Sequence, residues 1–122
     1  MLSRFTRNIT SSVQSELALS ESNEAAGRFK TAFKHLENAH VLGQSSTWWH
    51  VRVHWLMLRW ALRHKDVGEC LGQLVRIVGA ATKTAIGLVP VGNTGGADIS
   101  PFKRLPLTPE HQTAIEKAQG VQ

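Results

Sequence analysis

Apolar residues recur at three- and four-residue spacing through the first 83 positions, and short polar or glycine-containing stretches interrupt the recurrence three times. Leu2, Phe5, Ile9 and Val13 begin an amphipathic helix that starts near Ser3 and ends in SESNEAAG, where Asn23 and Gly27 offer a turn. A second helix is expected from Arg28 to about Leu42, with Gly43 in a favourable C-cap position. The loop GQSST follows, and its Ser46 and Thr47 are N-cap candidates for a third helix reaching about His64. Asp66 then caps a fourth helix that runs to about Lys83. Links this short make neighbouring helices antiparallel, so the pattern predicts an all-α fold: a four-helix array of two helical hairpins.

The two hairpins echo each other. AGRFKTAFKHLENAH (26–40) aligns with HKDVGECLGQLVRIV (64–78), matching Phe29 with Val67, Phe33 with Leu71 and Leu36 with Leu74. Each segment follows an apolar helix, the organisation of tetratricopeptide-like helix pairs, although the usual 34-residue signature is missing. Gly68, Gly72 and Gly79 form a stripe about 40° wide on helix four, which leaves room for another backbone. After Lys83 the period stops. TAIGLVPVGNTGGADISPFKRLPLTP is rich in Gly and Pro and reads as an extended segment over the bundle, before Thr108 caps a short terminal helix with Pro109 in its first position. Residues 1–83 are thus the helical bundle and 84–122 a C-terminal segment packed on it, in one domain.

Composition narrows the class without naming a chemistry. With 122 residues, 42% of them hydrophobic, the chain can build one core. The single cysteine, Cys70, excludes an internal disulfide and a thiolate-only metal site, which fits a reducing cytoplasm. The longest apolar run, Trp48 to Leu62, is interrupted by His50, Arg52, His54 and Arg59, so no membrane insertion is expected. The opening MLSRFTRNITSSVQS is rich in Arg and Ser/Thr and has no acids, like a mitochondrial presequence, but its helical spacing reads as structure. A formal charge of +5 makes an acidic partner plausible.

Four phrases in order, HLENAHVLGQ, HVRVHWLML, LGQLVRIVGA and PVGNTGGADIS, resemble a family of short bacterial proteins catalogued only as a domain of unknown function. The resemblance covers most of the chain, from helix one to about Pro106, and implies a bacterial source. It implies no activity.

Candidate chemistry is concentrated in the histidines. On a helical wheel His50 and His54 lie with Met57 and Ala61, opposite Arg52, Arg59 and Arg63, and His40 shares the stripe of Phe29, Phe33 and Leu36. His35 falls at the edge between apolar and polar faces. His40 lies three residues before Gly43 and His50 three after Thr47, so antiparallel pairing places them at one level, with His54 one turn, about 5.4 Å, further on. Glu16 on helix one is at similar height. His40, His50 and His54 with Glu16 as fourth ligand would suit zinc, copper, nickel or iron. The competing expectation is a polar core in which the rings are satisfied by a backbone carbonyl, by Glu16 or Glu37, or by one another.

Other constellations carry less. Glu37 and His40 have the Glu-x-x-His spacing of di-iron bundles but no second pair accompanies them. His50-x-x-x-His54 has metalloprotease spacing, yet Val51 stands where the glutamate base would be. GNTGGA lacks the GK[ST] of a phosphate loop. Cys70 reads as a small core residue. No catalytic residue is assigned. The remaining candidate is a surface: Arg52, Arg59 and Arg63 flanked by Trp48 and Trp55, a combination that suits a protein interface or self-association, and less well nucleic acid. The sequence therefore favours a small non-enzymatic cytoplasmic binding protein acting through this Arg/Trp face, with transition-metal binding as the alternative.

Overall fold

The computed structural model describes residues 2–83 and 106–120. Among these it has five α-helices and no strand: α1 (Arg4–Ala25), α2 (Phe29–Gly43), α3 (Thr47–Arg63), α4 (Val67–Lys83) and α5 (Pro109–Gln119). The expected extended cover, including GNTGGA, lies outside the described residues.

Side-chain oxygens begin four of the helices. The Ser3, Ser46 and Thr108 hydroxyls accept from the backbone N–H of Thr6, Trp49 and His111, and Asp66 Oδ1 accepts from Glu69 N. Each satisfies a first-turn donor that the helix itself cannot. Gly27, at φ 81°, makes the α1–α2 turn in the left-handed region, as its place in the sequence suggests. Gly43 behaves otherwise. It is the last residue of α2, and Gln44 after it keeps right-handed helical backbone at φ −64° and ψ −23°. The glycine is there for space: a Cβ at Gly43 would sit 2.7 Å from the Cβ of Trp49.

Bonds at both ends of the helices define their direction. Ser20 Oγ donates to Ala32 O near one end of the α1–α2 pair (2.8 Å), and Thr6 and Ser46 share a buried hydroxyl contact at the other (2.6 Å). α1 and α2 are therefore antiparallel. α3 runs back along α2, with Trp60 Nε1 donating to Phe29 O (3.1 Å) while His40 meets His50 at the opposite end. α4 packs on α3, and α5 lies on α1, where Asn8 Nδ2 donates to Ala118 O (3.1 Å). The core between them includes Ile9, Val13, Leu36, Val53, Met57 and Trp60. Burying each large apolar side chain contributes about 1.5–3 kcal/mol.

The internal echo does not extend to burial. Phe29 and Val67 are both exposed, but Leu36 is in the core and Phe33 packs partly buried against it, whereas the aligned Leu74 and Leu71 are exposed. α4 instead buries Gln73 and Ala80 and turns an apolar face outward. No helix among the described residues is long and apolar enough to cross a membrane.

Candidate metal centre

The α2–α3 pairing brings three imidazoles together in the interior. His40, three residues from the end of α2, and His50 and His54, one turn apart on α3, are each at most 8% exposed. Their ring centroids lie 4.8 Å (His40–His50), 4.7 Å (His40–His54) and 5.0 Å (His50–His54) apart. One ring nitrogen from each falls within 4.8 Å of the others. A tetrahedral ion with metal–nitrogen bonds of about 2.0–2.1 Å needs its donors about 3.3 Å apart. The widest separation must therefore close by about 1.5 Å, which modest side-chain rotation can supply.

A metal ligand must be neutral imidazole. Burial pushes the pKa of His54 down to about 4, opposed by its hydrogen bond to Gln73 and assisted by the nearby Arg76 charge. His54 is thus uncharged at neutral pH. Its Nδ1 lies 2.5 Å from Gln73 Oε1, and Gln73 Nε2 in turn donates to Glu69 Oε2 at 2.6 Å.

Glu16 is not brought into this group. Its Oε2 contacts His35 Nδ1 (2.6 Å) and accepts from Asn38 Nδ2 (3.3 Å), an arrangement that keeps His35 partly covered. The reason is angular: His35 and Asn38 lie about 140–160° around α2 from His40, so they meet α1 while His40 meets α3. Matching depth alone does not place a residue on the correct face. Among the described residues no fourth histidine, cysteine or carboxylate joins the three. Cys70 packs partly buried against the apolar core instead.

The arginine stripe is divided in its roles. Arg63 donates from Nε (2.7 Å) and Nη2 (2.8 Å) to the Glu24 carboxylate, which His64 Nε2 also approaches at 2.9 Å. The Arg63 bonds hold the Glu24 carboxyl below its ordinary range. Arg52 and Arg59 are exposed and, with Arg63, border a groove of about 500 Å³ whose other wall carries Glu21 and Glu24 and whose apolar lining includes Leu17, Leu36 and Leu56. Trp48 and Trp55 stand at the surface, 54% and 45% exposed.

Gln73, whose side chain is fully buried at 0% exposure, is not among the residues that the sequence pattern singles out. A signal was present: Cys70, Gln73, Ile77 and Ala80 share one helical face, and Gln73 is the one amide in that otherwise apolar set.

No curated protein and no solved structure matches this chain. A family model described as "Protein of unknown function (DUF3703)" matches residues 7–115, a span that takes in all three histidines and the Gln73 that contacts His54, and the chain belongs to that family.

Proposed function

We propose that the protein is a transition-metal-binding protein, with His40, His50 and His54 as its ligands. The observation that supports this reading is the convergence of three buried imidazoles with one nitrogen each inside 4.8 Å. Nitrogen donors alone favour zinc, copper, nickel or iron over magnesium or calcium. Three ligands leave one position of a tetrahedral ion open to water or an anion, short of a closed structural zinc shell. The roles that fit such a site are storage or sensing of the ion, or an oxidoreductase reaction at its open position. Cobalt(II) and zinc titrations followed by absorbance and calorimetry test this. One equivalent bound by the wild type and lost in a folded His50→Ala, His54→Ala double variant is the expected result. A wild type that takes up neither ion, nor copper, nickel or iron(II), overturns it.

A second reading rests on the half-exposed Trp48 and Trp55 beside Arg52 and Arg59. In it the two hairpins, organised as a tetratricopeptide-like unit, present this face to a protein partner or to a second copy, because Trp and Arg concentrate at binding hot spots. An Arg52→Glu, Arg59→Glu pair should then weaken association, measured by sedimentation or pull-down, and leave metal content unchanged. Association that survives the charge reversal argues against this face.

A further inference from the structure

The hydrogen-bond chain leading away from His54 determines which of its nitrogens carries the lone pair. Glu69 and Gln73 are one turn apart on α4, and the Glu69 carboxylate accepts from Gln73 Nε2 at 2.6 Å. With the amide NH2 turned to Glu69 as donor, the amide oxygen must face His54. Oε1 has no proton to give. The 2.5 Å contact with His54 Nδ1 is therefore made by an Nδ1–H donor, and the lone pair of the neutral ring resides on Nε2. This is the less favoured tautomer of a histidine side chain free in water, so the fold has to impose it.

We infer that Gln73, oriented by Glu69, is the positioning residue of the metal centre, holding His54 as the Nδ1–H tautomer so that Nε2 is its donor to the ion. The inference rests on the metal-binding reading above and adds to it the residues that prepare the ligand. Metal-bound histidines commonly donate their second ring N–H to a carbonyl or carboxylate, which fixes ring orientation and raises ligand basicity. Here a side-chain amide supplies the carbonyl. Its full burial lets no water compete for Nδ1–H, and its α4 origin ties the α2–α3 ligand set to a third helix.

The test combines a tautomer measurement with a metal affinity. Long-range proton–nitrogen correlation spectra of the metal-free wild type should show protonated Nδ1 and unprotonated Nε2 for His54. Gln73→Met, close in size and without an acceptor oxygen, should lose that signature and bind zinc 10–100-fold more weakly at unchanged helix content. Glu69→Gln, on the partly exposed edge of α4, provides the second variant if Gln73→Met fails to fold: its own amide can donate or accept, so Gln73 is free to flip and both His54 tautomers should appear. A wild-type ring protonated on Nε2, or Gln73→Met binding zinc within twofold of wild type, overturns the role of Gln73 while leaving the metal site standing. An unchanged single tautomer in Glu69→Gln overturns the part given to Glu69. A wild type that binds no metal overturns the proposed function itself and this role with it, whatever tautomer is found.

Discussion

Acidifying the metal-free protein should destabilise it well before its carboxylates titrate, and the size of the effect follows from His54. In the unfolded chain this ring protonates near pH 6.5, whereas burial lowers its folded pKa to about 4. Between those values the unfolded state binds the extra proton, so stability is full above about pH 6.5 and declines as pH falls toward 4. The difference is about 2.5 pH units at about 1.36 kcal/mol each, or roughly 3 kcal/mol from this one ring. That is a large share of the 5–15 kcal/mol typical of a small domain. The slope for a single histidine cannot exceed about 1.36 kcal/mol per pH unit. Urea unfolding followed by fluorescence of the four tryptophans, in the presence of a chelator at pH 7, 6, 5 and 4.5, measures it. With a urea dependence of about 1–3 kcal/mol per molar, the midpoint should drop by about 1 M or more over this range. Glu24 acts in the same direction but in a lower window, because its carboxyl is held below the ordinary carboxylate range and its contribution is lost only as that group protonates. His54→Gln removes the titrating ring, so its stability should vary less with pH by about the amount assigned. Stability that is flat from pH 7 to 5, or an equal pH dependence in His54→Gln, would contradict the assignment of this effect to the His54 ring.

Other perturbations test the scaffold that carries the cluster. Gly43→Ala puts a Cβ 2.7 Å from that of Trp49 and should cost about 1–3 kcal/mol in urea unfolding by forcing α2 from α3, whereas a neutral substitution would show that the close approach is dispensable. Ser46→Ala removes both the cap of α3 and the buried hydroxyl contact with Thr6, and a melting experiment should report a loss of about 1–2 kcal/mol. Lys65, at φ 55° in the α3–α4 turn, occupies a backbone region that glycine adopts without a Cβ penalty, so Lys65→Gly should be neutral or stabilising by up to about 1 kcal/mol; a clear loss would mean that its side chain matters more than its backbone.

Much of this arrangement could be read from residue order because it depends on local rules. Ser46, Asp66 and Thr108 mark helix starts through their own hydrogen bonds, and the caps form where those residues stand. The convergence of His40, His50 and His54 needed only two wheels and one tight turn, since the short GQSST link fixes the register of α2 against α3. Glu16 matches the cluster in height but meets His35 instead, because height along a helix follows from counting residues, while the face that another helix meets is set by packing angles that the sequence does not state. The role of Gln73 is not legible in the sequence for a related reason: its partner, His54, lies on another helix, so its value as an acceptor appears only when α4 is docked on α3. On α4, Leu71 and Leu74 match the spacing of Phe33 and Leu36 but are exposed, and spacing alone cannot distinguish a stripe that is buried from one that is not.

Elemental mass spectrometry on untagged protein purified without chelators, beside the His50→Ala, His54→Ala double variant, shows whether the three imidazoles hold a metal. Close to one zinc, copper, nickel or iron ion per chain is expected in the wild type and none in the folded variant. A wild type free of these metals that also fails to acquire one when they are supplied would contradict it, and would leave the three rings as polar members of the core.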